Sequence, residues 1–487
     1  MPGETRSQWE AVLPEFLRHA RWFAGKARPI RSVRVLDVLS LPGDGEEEQW
    51  FLVLVRIDSE EGEPVIYQIP MGSGDVKMEG FSRGICEAAS APAFWLALWR
   101  VMQGRAAVYP ETPGARILRE EGDGGWEFGE AVTVKISAEE QSHSAAVIGN
   151  RVWVKLFRNL WEGENPELEM GRALRQGAFP WIARLEGGLQ YAPPEGEVRT
   201  LACAHQYIAH QANGWNHALA EIKEDREKVR SSFRSAGGSG MERSEPEAGL
   251  LDSELLGRRL GALHRWMAAL RTPAFAPELI TMEWQGRFCE SLREEVGQTL
   301  RMLAAARPLW GPELDPLADR LINQQAEMLQ IVERLEKRRI EGRLIRCHGD
   351  LHLGQVLHTG DEWVIIDFEG EPARSIPERR LKNLAFIDVA GMLRSFHYAI
   401  CAAGGGAGGA DDSGGWRRAT SDRFLHGYFH EAYRGEFLPD AEDERTDLLK
   451  ICLLRKALYE LSYELNHRPD WAAIPIIGLL EIIGEAG

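Results

Sequence analysis

The chain has 487 residues, 44% apolar and 27% charged, close to ordinary globular values and unlike a disordered or collagen-like protein. Its 74 acidic and 57 basic side chains leave a formal charge of -17, the wrong sign for a protein held by phosphate backbones, so nucleic acid is excluded as the expected partner. Six cysteines without any C-x-x-C pair exclude a zinc ribbon or a dense disulfide framework and fit a reducing cytoplasm.

The first residues, MPGETRSQWEAVLPEFL, offer no apolar signal core, and the best apolar run, Ile474 to Leu480, is too short to span a bilayer. A soluble, cytoplasmic protein with no membrane partner is expected. Residues 50–56 (WFLVLVR) and 64–70 (PVIYQIP) are β-branched and apolar runs around an acidic turn, which predicts a hairpin. Pro92 to Met102 reads as a helix opened by its proline, with a unit boundary just before it near residue 88. Between 128 and 157 the pattern is strand, polar loop (SAEEQSHS), strand, Gly-Asn turn, strand. A helix over ELEMGRALRQ and a strand over TLACAHQYI at 200–208 follow. From about residue 216 helices dominate, over 251–270, 288–305, 316–337 and 446–466. Ala236 to Glu247 and Ala402 to Gly415, rich in glycine and serine, read as flexible insertions.

The densest polar chemistry is RCHGDLHLGQ at 346–355, followed by the strand-like WVIIDFEGEP at 363–372. Asp350 precedes the amide Gln355 by five positions, as the Asp of H-R-D-x-x-x-x-N precedes its Asn, and Asp367 ends an apolar strand as the Asp of D-F-G does. Phosphoryl transfer needs one carboxylate to orient and deprotonate an attacking hydroxyl, and oxygen ligands to hold Mg²⁺ against nucleotide phosphates. Asp350 takes the first task; Gln355 and Asp367 are the expected metal ligands. A second reading uses His348, Asp350 and His352, which alternate and in an extended strand would face one side as a zinc site. In the loop reading the two histidines hold the loop by bonds to backbone.

Upstream, Lys155 lies on a predicted strand and Glu169 follows 14 positions later in the predicted helix, the order of the phosphate-binding Lys and its helix Glu. Gln141-Ser142-His143-Ser144 sits where a phosphate-covering loop belongs, and Ser142 and Ser144 can offer donors to phosphate oxygens without G-x-G-x-x-G. Gln206-Tyr207-Ile208, leaving the last strand, is the expected hinge whose backbone meets adenine, with Gln206 and Ile208 as nucleotide contacts.

At HGDLHLGQVL, DFEGEPARSIPERRLK and DVAGMLRSF the sequence resembles the bacterial maltokinases, which share the aminoglycoside-phosphotransferase, protein-kinase-like fold. The resemblance extends to RWFAGKARPIRSVRV at 21–35, VKLFRNLWEGENPELEM at 154–170 and KALYELSYELNHRPDW at 456–471. It implies an α+β, bilobal kinase-like architecture: an N-terminal cap subdomain (1–88), a β-rich N-lobe (89–205) and a helical C-lobe (206–487), with ATP between the lobes. It further implies ATP-dependent phosphorylation of maltose to maltose 1-phosphate, feeding α-glucan synthesis, with ATP and Mg²⁺ as cofactors and a trehalose synthase as a possible partner. Lys456, Tyr459 and Tyr463 carry over as sugar contacts; three and four residues apart, they share one helix face, which could equally be a buried amphipathic stripe. Two positions depart from the family pattern: Leu384-Ala385-Phe386-Ile387 stands for a Ser-Pro-Leu-Arg-like segment, and His397 for an Asp. Relatives of this kind act on other sugars too, glucosamine among them, and a pseudokinase-like binding module is the rival from another class. Asp388 is expected to cap its helix or brace the catalytic loop.

Overall fold

The computed structural model describes residues 6–20, 22–23, 28–43, 49–60, 62–73, 85–122, 126, 128, 132–137, 143–235, 252–307, 314–404 and 413–484. They divide into two compact units, 1–209 with 372–379, and 210–371 with 380–487.

In the first unit the order is α1 (Arg6–His19), β1 (Ile30–Pro42), β2 (Gln49–Ser59), β3 (Val65–Ser73), β4 (Ile85–Glu87), α2 (Pro92–Met102), β5 (Tyr109–Pro110), β6 (Arg116–Glu121), β7 (Val134–Ile136), β8 (His143–Ile148), β9 (Val152–Phe157), α3 (Pro166–Gln176), β10 (Leu185–Ala192) and β11 (Arg199–Gln206). Among the described residues these form two sheets, ordered β4-β3-β2-β1-β5 and β6-β10-β11-β9-β8-β7. The predicted hairpin is β2–β3, antiparallel with Val55 opposite Tyr67. The apolar run of β2 reflects burial of both faces. Trp50, Leu52 and Leu54 join a core shared with α2 and with β8, β9 and β11, whereas Phe51, Val53 and Val55 pack with Leu13, Phe16 and Leu17 of α1. Helix α2 is thus common to the cores of both sheets, and Phe94, Trp95 and Leu98 are fully buried there. The Gly-Asn turn joins β8 to β9 with φ of 59° at Gly149 and 52° at Asn150, a conformation these two residue types tolerate best.

The second unit continues with β12 (Ala212–Asn213), α4 (Gly214–Ser235), α5 (Ser253–Ala269), β13 (Glu278–Leu279), α6 (Met282–Ala306), α7 (Asp315–Asn323), α8 (Gln325–Lys337), β14 (Arg343–Leu344), β15 (Val356–His358) and β16 (Trp363–Ile365). After α9 (Ile376–Arg379), which belongs to the first unit, come α10 (Phe386–Ala403), α11 (Ser413–Ala432), α12 (Glu442–His467) and α13 (Ala473–Gly484). Three of the four predicted long helices appear whole. The fourth, 316–337, is two helices, because Gln324 at φ -99°, ψ 22° leaves helical geometry. Residues 236–247 lie outside the described part. The 402–415 insertion is corrected at its ends: Ala402 and Ala403 finish α10 and Ser413 begins α11, with 405–412 outside the described residues. Helices α5 and α11 cross at backbone contact, since a Cβ on Gly257 would lie 2.0 Å from the Phe424 carbonyl oxygen and one on Gly427 equally close to that of Glu254. Among the described residues no helix is long and apolar enough to cross a membrane.

Candidate active site

The loop before β15 is built around one buried carboxylate. Asp388, in the first turn of α10, accepts the His348 N–H at 2.7 Å on one oxygen and the Gly349 N–H at 2.8 Å on the other. His264 of α5 adds a third bond, Nε2 to Asp388 Oδ2 at 2.9 Å, and its Nδ1 lies 3.0 Å from the Tyr428 hydroxyl of α11. Burial pushes the Asp388 carboxyl up, but the His264 bond, the positive charge around it and the Gly349 N–H hold it below its ordinary value. Asp388 therefore braces the loop, the second of its two expected roles, and Ala385 stands at the N-cap position instead.

The braced segment is irregular, not an extended strand, so His348, Asp350 and His352 do not line up as the zinc reading requires. The His348 Nε2–H donates to the Ile366 carbonyl at 2.8 Å, and His352 Nδ1 accepts the Gly354 N–H at 3.0 Å. Both rings serve the backbone. Burial, then the charge of Lys456, lowers His352 to about 4, so it is neutral near pH 7.

Asp350, Gln355 and Asp367 come together. Gln355 Nε2–H donates to Asp367 Oδ2 at 2.9 Å, and Asp367 takes a left-handed backbone, φ 64°, immediately past β16. That conformation is uncommon outside glycine but tolerated by Asp. Burial is the chief cause that pushes Asp350 up to about 7; the charges of Glu371, Asp367 and Asp388 add to it, and Lys456 opposes it. The Lys456 ammonium lies 3.7 Å from Asp350 Oδ1 and 5.0 Å from the centre of the Tyr459 ring. The Tyr459 hydroxyl donates to Glu371 at 2.8 Å. Lys456 thus stands at the loop that carries Asp350, and Tyr459 at Glu371 beyond β16. Tyr463 shares their helix and stacks on His467 with ring centres 4.4 Å apart. Tyr459 and Tyr463 are 37% and 41% exposed, which rules out the buried amphipathic stripe.

In the first unit Lys155 is fully buried on β9, and its ammonium pairs with Glu167 of α3 at 2.8 Å. Glu167 is the carboxylate that the motif spacing missed. Glu169, the residue expected from that spacing, is buried on the same first turn, where Asn165 caps the helix through the Glu167 N–H. The Ser144 hydroxyl accepts from Arg158 Nε at 3.0 Å, and Ser142 lies outside the described residues. Gln206, at the end of β11, donates its N–H to the Arg184 carbonyl at 2.8 Å, and Ile208 is half-buried two residues on, just before the chain enters the second unit. Glu371 and His264 also escaped the sequence reading, since neither falls in a spaced motif; Glu371 could be suspected only from its place at the end of DFEGE.

Comparison with known proteins defines the class. Residues 191–371 match the phosphotransferase enzyme family, and the whole fold is protein-kinase-like. Residues 16–91 match the maltokinase N-terminal cap domain, and the two matches together are consistent with a maltokinase-like kinase of the aminoglycoside-phosphotransferase fold. Among its relatives are a glucosamine kinase of Streptacidiphilus jiangxiensis, 27% identical over 354 residues (71% of this chain, 72% of that one), and one of Mycolicibacterium smegmatis, 25% identical over 355 residues (71% and 78%). A solved glucosamine kinase in complex with glucosamine, ADP and inorganic phosphate superposes with TM-score 0.66 at 18% identity, covering 99% of this chain and 100% of that chain. A second crystal form of a glucosamine kinase gives 0.69 at 19% identity over the same shares.

Proposed function

We propose that this sugar kinase transfers the terminal phosphoryl group of ATP to the anomeric hydroxyl of maltose, giving maltose 1-phosphate and ADP. The observation that carries this reading is the grouping of Asp350, Lys456 and Tyr459. A carboxylate whose pKa stands near neutrality is matched to taking a proton from a sugar hydroxyl, because near pH 7 about half of it is ionised and it is more basic than an ordinary carboxylate. Tyr459 and Tyr463, four residues or about 6 Å apart along the axis, offer two aromatic faces to adjoining pyranose rings. Lys456 opposes the upward shift of Asp350 and donates to acceptor oxygens.

The oxygens of Gln355 and Asp367 form a hard donor set that fits Mg²⁺: the amide turns its Nε2–H to Asp367, which leaves its oxygen for a cation. Bound there, Mg²⁺ neutralises phosphate charge. Lys155, paired with Glu167, with Glu169 on the same helix turn, is assigned to the nucleotide phosphates. Ser144 is assigned to cover them, and the backbone of Gln206 and Ile208 to receive adenine.

Glucosamine is the second reading, favoured by the names of the relatives and by Glu371, whose carboxylate beside Asp350 suits an ammonium group. A coupled ADP-release assay over maltose, glucosamine and an aminoglycoside separates them. Turnover greatest with maltose supports the proposal. Preference for glucosamine transfers it to the second reading, and no turnover with any acceptor contradicts both.

A further inference from the structure

The first unit holds a grouping of side chains that the phosphotransfer reading leaves unused. Cys203 and His205 of β11 are two residues apart, so their side chains share one face of the strand. Cys203 lies directly opposite Lys155 of β9, and His205 opposite Trp153, which puts all four on that face. Glu167, on the first turn of α3, meets them there. Its Oε2 takes the Lys155 ammonium at 2.8 Å, while Oε1 lies 3.7 Å from His205 Nδ1. One ligand atom from each of Glu167, Cys203 and His205 lies within 4.8 Å of the other two, and all three residues are buried. The Trp153 ring, its centre 6.3 Å from that of His205, walls the grouping on the β9 side.

A thiolate, an imidazole and one carboxylate are donors that suit Zn²⁺, and such a set discriminates against Mg²⁺, which takes oxygen. Tetrahedral coordination at ordinary bond lengths asks for ligand separations of about 3.3–3.6 Å, so the Glu167–His205 edge is nearly in place and the widest edge closes by about 1 Å. A comparable group in the second unit, His264, Cys347 and Asp388, is already committed to bracing the catalytic loop. There His264 bonds Asp388 and Tyr428, and Asp388 also holds the His348 and Gly349 N–H groups.

We propose that Glu167, Cys203 and His205 form a Zn²⁺ site, with one position left to water, distinct from the Mg²⁺ ligands Gln355 and Asp367. On binding, the Cys203 thiol releases its proton to solvent, and its sulfur, His205 Nδ1 and Glu167 Oε1 bond the ion. The ion then shares Glu167 with Lys155, and two cations on one carboxylate repel, so an occupied site displaces the ammonium. That consequence for turnover rests on the reading that Lys155 meets the nucleotide phosphates; the site itself does not. The test titrates chelator-treated protein with Co²⁺, a coloured substitute, and with Zn²⁺ against a chromophoric chelator, in the parent and in Cys203→Ser. The parent is expected to take up one equivalent of Co²⁺ with a thiolate-to-metal absorption band. Cys203→Ser should lose the band and bind Zn²⁺ at least about 10–100-fold more weakly, the loss that removing even an outer partner of a metal ligand brings. An undiminished band or affinity in Cys203→Ser, or no uptake of one equivalent by the parent, overturns the inference. Should Cys203→Ser not fold, as thermal unfolding would read, His205→Gln serves in its place: weakened Zn²⁺ binding supports the site and unchanged binding overturns it. In steady-state kinetics, one equivalent of Zn²⁺ should raise the KM for ATP about tenfold in the parent and leave that of Cys203→Ser within about twofold. An unchanged KM with the ion bound in the parent strikes the phosphate reading of Lys155 and leaves the metal site standing.

Discussion

Asp350 carries the most direct consequences. Its folded-state pKa of about 7 stands above the ordinary 3.8, so the unfolded chain loses this proton first as pH rises. The penalty on the native state starts above about pH 4 and is complete above about pH 7. Asp350→Asn should therefore be more stable to unfolding than the parent at pH 8, by about 1–3 kcal/mol, with the difference vanishing near pH 4. The same variant should lose turnover by about 10²–10⁴-fold and keep nucleotide binding, as calorimetry would read. Turnover in the parent should fall as pH drops through the pKa of Asp350, and a bound divalent cation should move that limb below pH 7. A second residue-scale prediction concerns Glu167. Replacing it with Gln exchanges the carboxylate 2.8 Å from the buried Lys155 ammonium for a neutral amide and should cost about 1–3 kcal/mol in chemical denaturation. The Gln355–Asp367 pair, bonded at 2.9 Å, was legible in the sequence because the kinase-like spacing marks both residues along one loop and strand. Glu167 was not, since the motif spacing points to Glu169, and both carboxylates lie buried on the first turn of α3.

At the level of elements, legibility followed local signals. The run over β2 and the Gly-Asn turn before β9 announced themselves, because both-face burial selects unbroken apolar residues and positive φ selects Gly and Asn. Strand β10, LEGGLQYA, did not, since its glycines answer to neighbours far away in sequence. A Cβ on Gly188 would lie 2.5 Å from a methyl of Leu168, so this strand is glycine-bearing to let α3 approach. The break between α7 and α8 has no Gly or Pro to signal it. The crossing of α5 and α11 is equally tight: Gly427→Ala should cost about 1–3 kcal/mol by overpacking, and should also slow turnover by shifting Tyr428 from His264. Helix α12 carries the acceptor prediction. Tyr459→Ala should raise the KM for sugar about tenfold or more and leave the KM for ATP near its parent value, a split that steady-state kinetics reads directly.

The whole molecule combines an acidic chain of net charge -17 with a first unit that holds a buried cation, Lys155, and a second that gathers carboxylates around Asp350. Such a grouping is unfavourable until a cation and a substrate answer it, which is how functional sites differ from the rest of a fold. Chelation of divalent ions should therefore abolish turnover, with full return on adding Mg²⁺, while the unfolding midpoint moves little, because the donor set is too small to hold the fold together. The measurement closest to the central claim is phosphorus NMR of the protein with MgATP and maltose, run beside Asp350→Asn. The account predicts a sugar phosphate resonance coupled to the anomeric proton, growing with ADP in the parent protein and absent in the variant. Undiminished ATP, or free phosphate alone, with maltose and every other sugar tried would contradict it.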